Sequence, residues 1–191
     1  MLSRDRRSAV LLAVATAALA AGTLSACSSL IPTTPPPTTG APAPRAPSPT
    51  SEQIALNCDL MITDADAAAF TPPLHPIPSF VPSAGTLPSV LVQHGGQPCG
   101  WGADSAASLQ VVVAVPFTSG LKAAKAAAAA GQPVDLAQVD AAYFTTSDGM
   151  GQVQIFLGSY WIDVASPSFT SADQAQTVSA LVVHNLRGAG G

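Results

Sequence analysis

Separate stretches of the chain between residues 109 and 165 alternate with the period of two that marks strands. Leu109, Val111, Val113 and Val115 share one side of an extended segment, opposite Gln110, Val112 and Ala114, and Pro116 ends it. A strand at 141–146 runs into Ser147-Asp148-Gly149-Met150-Gly151, residue types suited to a hairpin turn. Strand 152–157 then places Val153, Ile155 and Leu157 inward. Gly158-Ser159 suits a two-residue type II′ turn into a strand at 160–165.

Helical signals occupy three other stretches. Residues 59–70 follow Cys58, with Thr63 as N-cap and Asp64 and Asp66 in the first turn, where they complement the helix dipole. The run LKAAKAAAAA at 121–130 has the highest helix propensity in the chain, and Gly131 is placed to stop it. Residues 171–186 align Ala175, Val178, Val182 and Leu186 on one stripe, with Ser171 to cap and Arg187 and Gly188 to close. Residues 71–98 hold seven prolines and read as a long connection, in which Val90 to Val92 form a short strand. From Cys99 the pattern changes to strands, Cys99-Gly100-Trp101-Gly102 leading into a turn at Asp104-Ser105, so the order is helix, two strands, helix, three strands, helix. It predicts an α+β fold: an antiparallel sheet of about five strands, with three helices packed on one face.

Composition narrows the picture. Charged residues are 9% of the 191, and alanine supplies 36 positions. Most of the mean hydropathy of +0.36 is therefore alanine. Beyond Arg4, Asp5, Arg6 and Arg7 there are four basic residues against ten acidic ones, a net charge of −6. That balance leaves no electrostatic footprint for DNA or RNA.

The N-terminus reads as an address. Arg4, Arg6 and Arg7 precede an apolar stretch from Ala9 to Ala21, and Leu24-Ser25-Ala26-Cys27 looks like a bacterial lipobox. Thirteen apolar residues span only about 20 Å as a helix, short of the ~30 Å hydrocarbon core of a bilayer. Residues 1–26 are thus expected to be a lipoprotein signal peptide. Cys27 is the expected lipidation site, carrying diacylglycerol and a further acyl chain such as palmitate, which together anchor stably. Residues 28–50 contain eight prolines and one charge, Arg45. With Cys27 they read as a disordered tether, reaching ~70 Å if extended. The expected location is the outer face of the cytoplasmic membrane. One globular domain at 51–187 and a disordered tail at 188–191 complete the chain.

Lipidation leaves Cys58 and Cys99 in an exported, oxidising setting, where a structural disulfide is expected. A redox pair would more usually be Cys-x-x-Cys. Zinc would need further ligands, and His75 and His94 lack metal-site spacing.

The lipobox, the Pro/Thr tether, Cys58 at a helix start and Cys99-Gly100-Trp101 before a strand resemble a family of actinobacterial lipoproteins of unknown function. The resemblance covers roughly 52–187, with Val139-Asp140-Ala141-Ala142 standing where members often carry Gly-Asp/Glu-x-Ala. It implies a PsbP-like α+β domain and brings no catalytic residues.

Candidate chemistry is sparse. Asp59, Asp64, Asp66, Asp104, Asp135, Asp140, Asp148, Asp163 and Asp173 fall mostly at turns and helix starts, where capping accounts for them. His184 on the last helix reads as a surface or core-edge histidine, and no nucleophile, zinc or phosphate motif occurs. No enzyme activity, metal or cofactor is expected. Trp101, Tyr143, Tyr160 and Trp161 are candidates for an aromatic groove, against the plainer reading of core and edge packing. The expected function is a non-catalytic binding or accessory domain contacting another envelope protein or cell-wall polymer. The alternative is a carrier of a lipid or small hydrophobic ligand. A cavity between the inward faces of 109–115 and 152–164 favours the carrier, and a filled core with an exposed apolar patch favours the binding domain.

Overall fold

A computed structural model describes residues 54–104 and 106–189. The expected signal peptide, Cys27 and the tether lie outside the described residues. In chain order the elements are a 3-10 turn at Cys58–Leu60, then α1 (Asp64–Ala69), β1 (His75–Pro76), α2 (Leu87–Gln93), β2 (Gln97–Gly102) and β3 (Leu109–Ala114). There follow α3 (Thr118–Ala128), β4 (Gln132–Pro133), β5 (Ala141–Ser147), β6 (Met150–Leu157), β7 (Tyr160–Ser166) and α4 (Ala172–Ala189).

The class is α+β, built on one antiparallel sheet of seven strands in the order β1-β2-β3-β7-β6-β5-β4. The hairpins β2–β3 and β5–β6–β7 form locally, and β3 pairs with β7 to join them, Val111 opposite Val164 and Val113 opposite Ile162. The β6–β7 turn has φ +58 at Gly158 and ordinary backbone at Ser159, as a type II′ turn requires. Gly158 supplies the positive φ that a residue with a Cβ resists.

Both faces of the sheet are covered, which corrects the expectation of helices on one face. Leu109, Val111, Val113, Val153, Ile155, Ile162 and Val164 pack with Met61, Ile62 and the α4 residues Ala175, Val178 and Val182. On the opposite face Val112, Ala114, Phe156 and Trp161 pack with Leu91 of α2, Ala128 of α3 and, around them, Val90, Leu121 and Ala124. The strands are apolar on both sides because both sides are dry.

Four helices replace the expected three, and seven strands the expected five. The extra strands β1 and β4 are two-residue pairings containing Pro76 and Pro133, at the sheet edges where proline is tolerated. Val90 to Val92 are helical, not a strand. Pro88 fits the first turn of α2, and Leu87, Val90 and Leu91 share one helical face. The expected helix 59–70 is split, because Thr63 adopts an extended N-cap and closes a capping box with Asp66. The helix expected to close at Arg187 and Gly188 continues to Ala189.

Candidate functional site

At the β6–β7 hairpin the chain leaves an open cleft of about 510 Å³. Leu56 and Leu60 form one wall, Leu157 and Tyr160 of the hairpin another, and Leu186 and Arg187 of α4 the third. Leu60 and Tyr160 are 38% and 39% exposed, among the few large apolar side chains so open to solvent. Exposed apolar surface gathered in one concave place is what binding sites look like and what isolated surface leucines do not.

Each wall is held by local chemistry. Asn57 caps the 3-10 turn, its Oδ1 accepting from the Asp59 amide at 3.3 Å. The Cys58–Cys99 disulfide ties that turn to β2, with Cα atoms 5.6 Å apart. Asn185 of α4 donates to the Met61 carbonyl at 3.1 Å and to Asp66 Oδ2 at 2.9 Å, fixing α4 against the N-terminal segment. The Thr63 hydroxyl is the largest of the influences holding the Asp66 carboxyl below its usual range, and Asn185 adds to it. Asp140 accepts from the Gly158 amide at 2.8 Å and steadies the hairpin turn. Arg187 donates to the Gln138 carbonyl at 3.0 Å, which places its cation at the rim of a cleft whose other side chains, Ser159 apart, are leucines and Tyr160.

Of the sequence-derived site residues, Cys58 and Cys99 are joined as expected, and Cys27 lies outside the described residues. The four aromatics are not gathered into one groove. Trp101 is buried in the core beneath α4, whereas Trp161 and Tyr143 belong to the opposite face. Tyr160 alone lines the cleft. Alternation explains the separation, since Tyr160 and Trp161 are neighbours in one strand and must point to opposite sides.

Sequence reasoning missed Asp163. Grouped with capping carboxylates, it lies mid-strand in β7, fully buried, and neither oxygen has a hydrogen-bond partner. Burial pushes its carboxyl up to about 8. Trp161, two residues away on the same face, has an unpartnered Nε1. The signal was available in Tyr-Trp-Ile-Asp-Val-Ala: a polar residue inside a strand whose two sides are both apolar.

Among the described residues no three His, Cys, Asp or Glu side chains stand together as metal ligands would, and no helix is long and apolar enough to cross a membrane. Compared with protein-family models, curated proteins and solved structures, the chain shows no match.

Proposed function

We propose that this is an exported lipoprotein, anchored through Cys27 at the outer face of the cytoplasmic membrane and akin to the actinobacterial lipoproteins it resembles. Its domain acts as a non-catalytic binding module for another envelope protein. The occupant of the Tyr160 cleft is an apolar segment that carries a carboxylate: aliphatic side chains meet Leu56, Leu60, Leu157 and Leu186, and the acid meets Arg187. The supporting observation is the cleft itself, largely apolar and open, beside an α4-side sheet face that is already filled. Val111, Val113, Val153, Ile155, Ile162 and Val164, the inward residues a carrier would line with ligand, are fully buried against protein.

The test is a photo-crosslinking amino acid at Tyr160 in the full, membrane-anchored chain, with the same group at Val81, 79% exposed and away from the cleft, as control. A discrete protein adduct at Tyr160, absent at Val81 and weakened about tenfold by Leu60→Ser, supports the reading. An adduct with lipid alone transfers the assignment to the carrier. Identical patterns at both positions end it.

A further inference from the structure

Asp163 belongs to a cluster remote in kind from the apolar cleft. Val112 and Gln154 are its cross-strand neighbours, and Ala165 and Trp161 flank it on the same face of β7. From Trp161 a chain of rings extends across that face. Phe156 stacks on Trp161 at 6.4 Å and 12°, Tyr143 meets Phe156 edge-on at 6.4 Å, and the His94 ring lies 5.9 Å from Trp161. One residue pair outward from Asp163, a cleft of about 270 Å³ opens over Gln110, Ala165 and Gln152, between Pro88 of α2 and Asp148 of the β5–β6 turn. Among the described residues Asp148 is the only charged one lining it.

Two features lack the partners their chemistry calls for. A carboxyl with both oxygens unpartnered is costly in a dry interior, as is an indole N–H with nothing to donate to. The carboxylate calls for a cation, the indole for an acceptor oxygen, and the glutamines on the path between Asp163 and the cleft for further hydroxyls. Aromatic faces complement both cations and the apolar faces of sugar rings. We propose that the β7 face around Asp163 and Trp161 is a binding site for a small hydroxylated amine of the amino-sugar class, entered through the Gln110–Gln152 cleft when α2 moves aside. Its ammonium pairs with Asp163, a ring hydroxyl accepts from Trp161 Nε1, and Gln152 and Gln154 hold the rest. Only seven residues long, α2 sits between turns with φ +83 at Gly85 and +78 at Gly95. Among the described residues the charged and titratable groups around the site are Asp163 itself, Asp148 at the entrance, His94 at the end of α2 and Tyr143 on β5, and no basic side chain lines the entrance.

The probe is glucosamine, titrated into the full chain at about pH 6.5, where the amine is protonated. Glucose and N-acetylglucosamine are the controls, since each keeps hydroxyls and lacks the ammonium. Glucosamine should raise the thermal midpoint and change the indole fluorescence, with both controls silent at equal concentration. It should also release a proton, because Asp163 is protonated when buried alone and ionised when paired, as calorimetry in buffers of different ionisation enthalpy reads out. Asp163→Asn should abolish both responses, and Trp161→Phe should weaken the first. An equal response to N-acetylglucosamine, no response to glucosamine in the wild-type chain, or a response that survives Asp163→Asn overturns the proposal.

Discussion

A buried acid that titrates near 8 makes stability fall where most proteins gain it. The folded chain holds the Asp163 proton across a range in which the unfolded chain has released it. Stability is therefore lost as pH climbs from 3.8 to about 8, and levels off beyond. Asp66 runs the other way: lowered in the fold, chiefly by the Thr63 hydroxyl, its contribution disappears only as pH drops through that lowered value. Denaturant unfolding between pH 5 and 9 should show the wild-type decline, on the order of a few kcal/mol. Asp163→Asn should flatten the slope, matching wild type near pH 5 and exceeding it at pH 9. A parallel decline in the variant would assign the slope to other groups. Thr63 and Asp66 were legible in the sequence because a capping box is a local code. Asp163 showed only as a polar residue in an apolar strand; its full burial was not legible, because the cover over both faces of β7 is supplied by α2 and α4, far away in the chain.

At the scale of elements the strands from 109 onward were readable, since hairpins fix their own register through their turns. Helix α2 was not. Three consecutive apolar residues, two of them β-branched, satisfy a strand as well as a helix, and only packing of Leu87, Val90 and Leu91 against the sheet decides between them. The helices' distribution over two faces was hidden for the same reason: sequence shows that Val112 and Ala114 are apolar but not what covers them. The disulfide was visible by arithmetic, and it now has a mechanical role, holding the Leu60 wall of the cleft to β2. Opening a loop with a sequence separation of 41 should cost about 4 kcal/mol in the chain-entropy model. Unfolding of the chain with Cys58 and Cys99 both changed to Ser measures it. A loss under about 1 kcal/mol would mean that the hydrogen bonds of Asn185 already restrain this segment. Asn185→Ala in the wild-type background should then destabilise by about 1–3 kcal/mol, since Asn185 donates both to the Met61 carbonyl and, beside the Thr63 amide and hydroxyl, to Asp66.

For the whole molecule the sheet order explains why the proposed binding surfaces sit where they do. The β3–β7 pairing closes two locally formed hairpin units into one sheet, and α3 carries the chain from β3, inside the sheet, to the edge strand β4. The β6–β7 turn is left at one end of the sheet, beside the last turns of α4 and the first described residues, where Leu56 enters the cleft wall. If the domain binds through one modest apolar cleft, as proposed, it gains little affinity from that area alone, so the proposed anchor at Cys27 would matter energetically as well as for location. Tethering two partners to one membrane raises their effective concentration to about the millimolar range, worth orders of magnitude in occupancy without any new contact. Exported from a leader lacking Cys27, the domain should fold with its disulfide intact yet lose the Tyr160 crosslink by tenfold or more. Adding the unanchored protein at about millimolar concentration should restore it. An undiminished crosslink without the anchor would show that the cleft needs no membrane to find its partner. Normal processing of Cys27→Ala, read by intact mass, would remove the anchor from the account altogether.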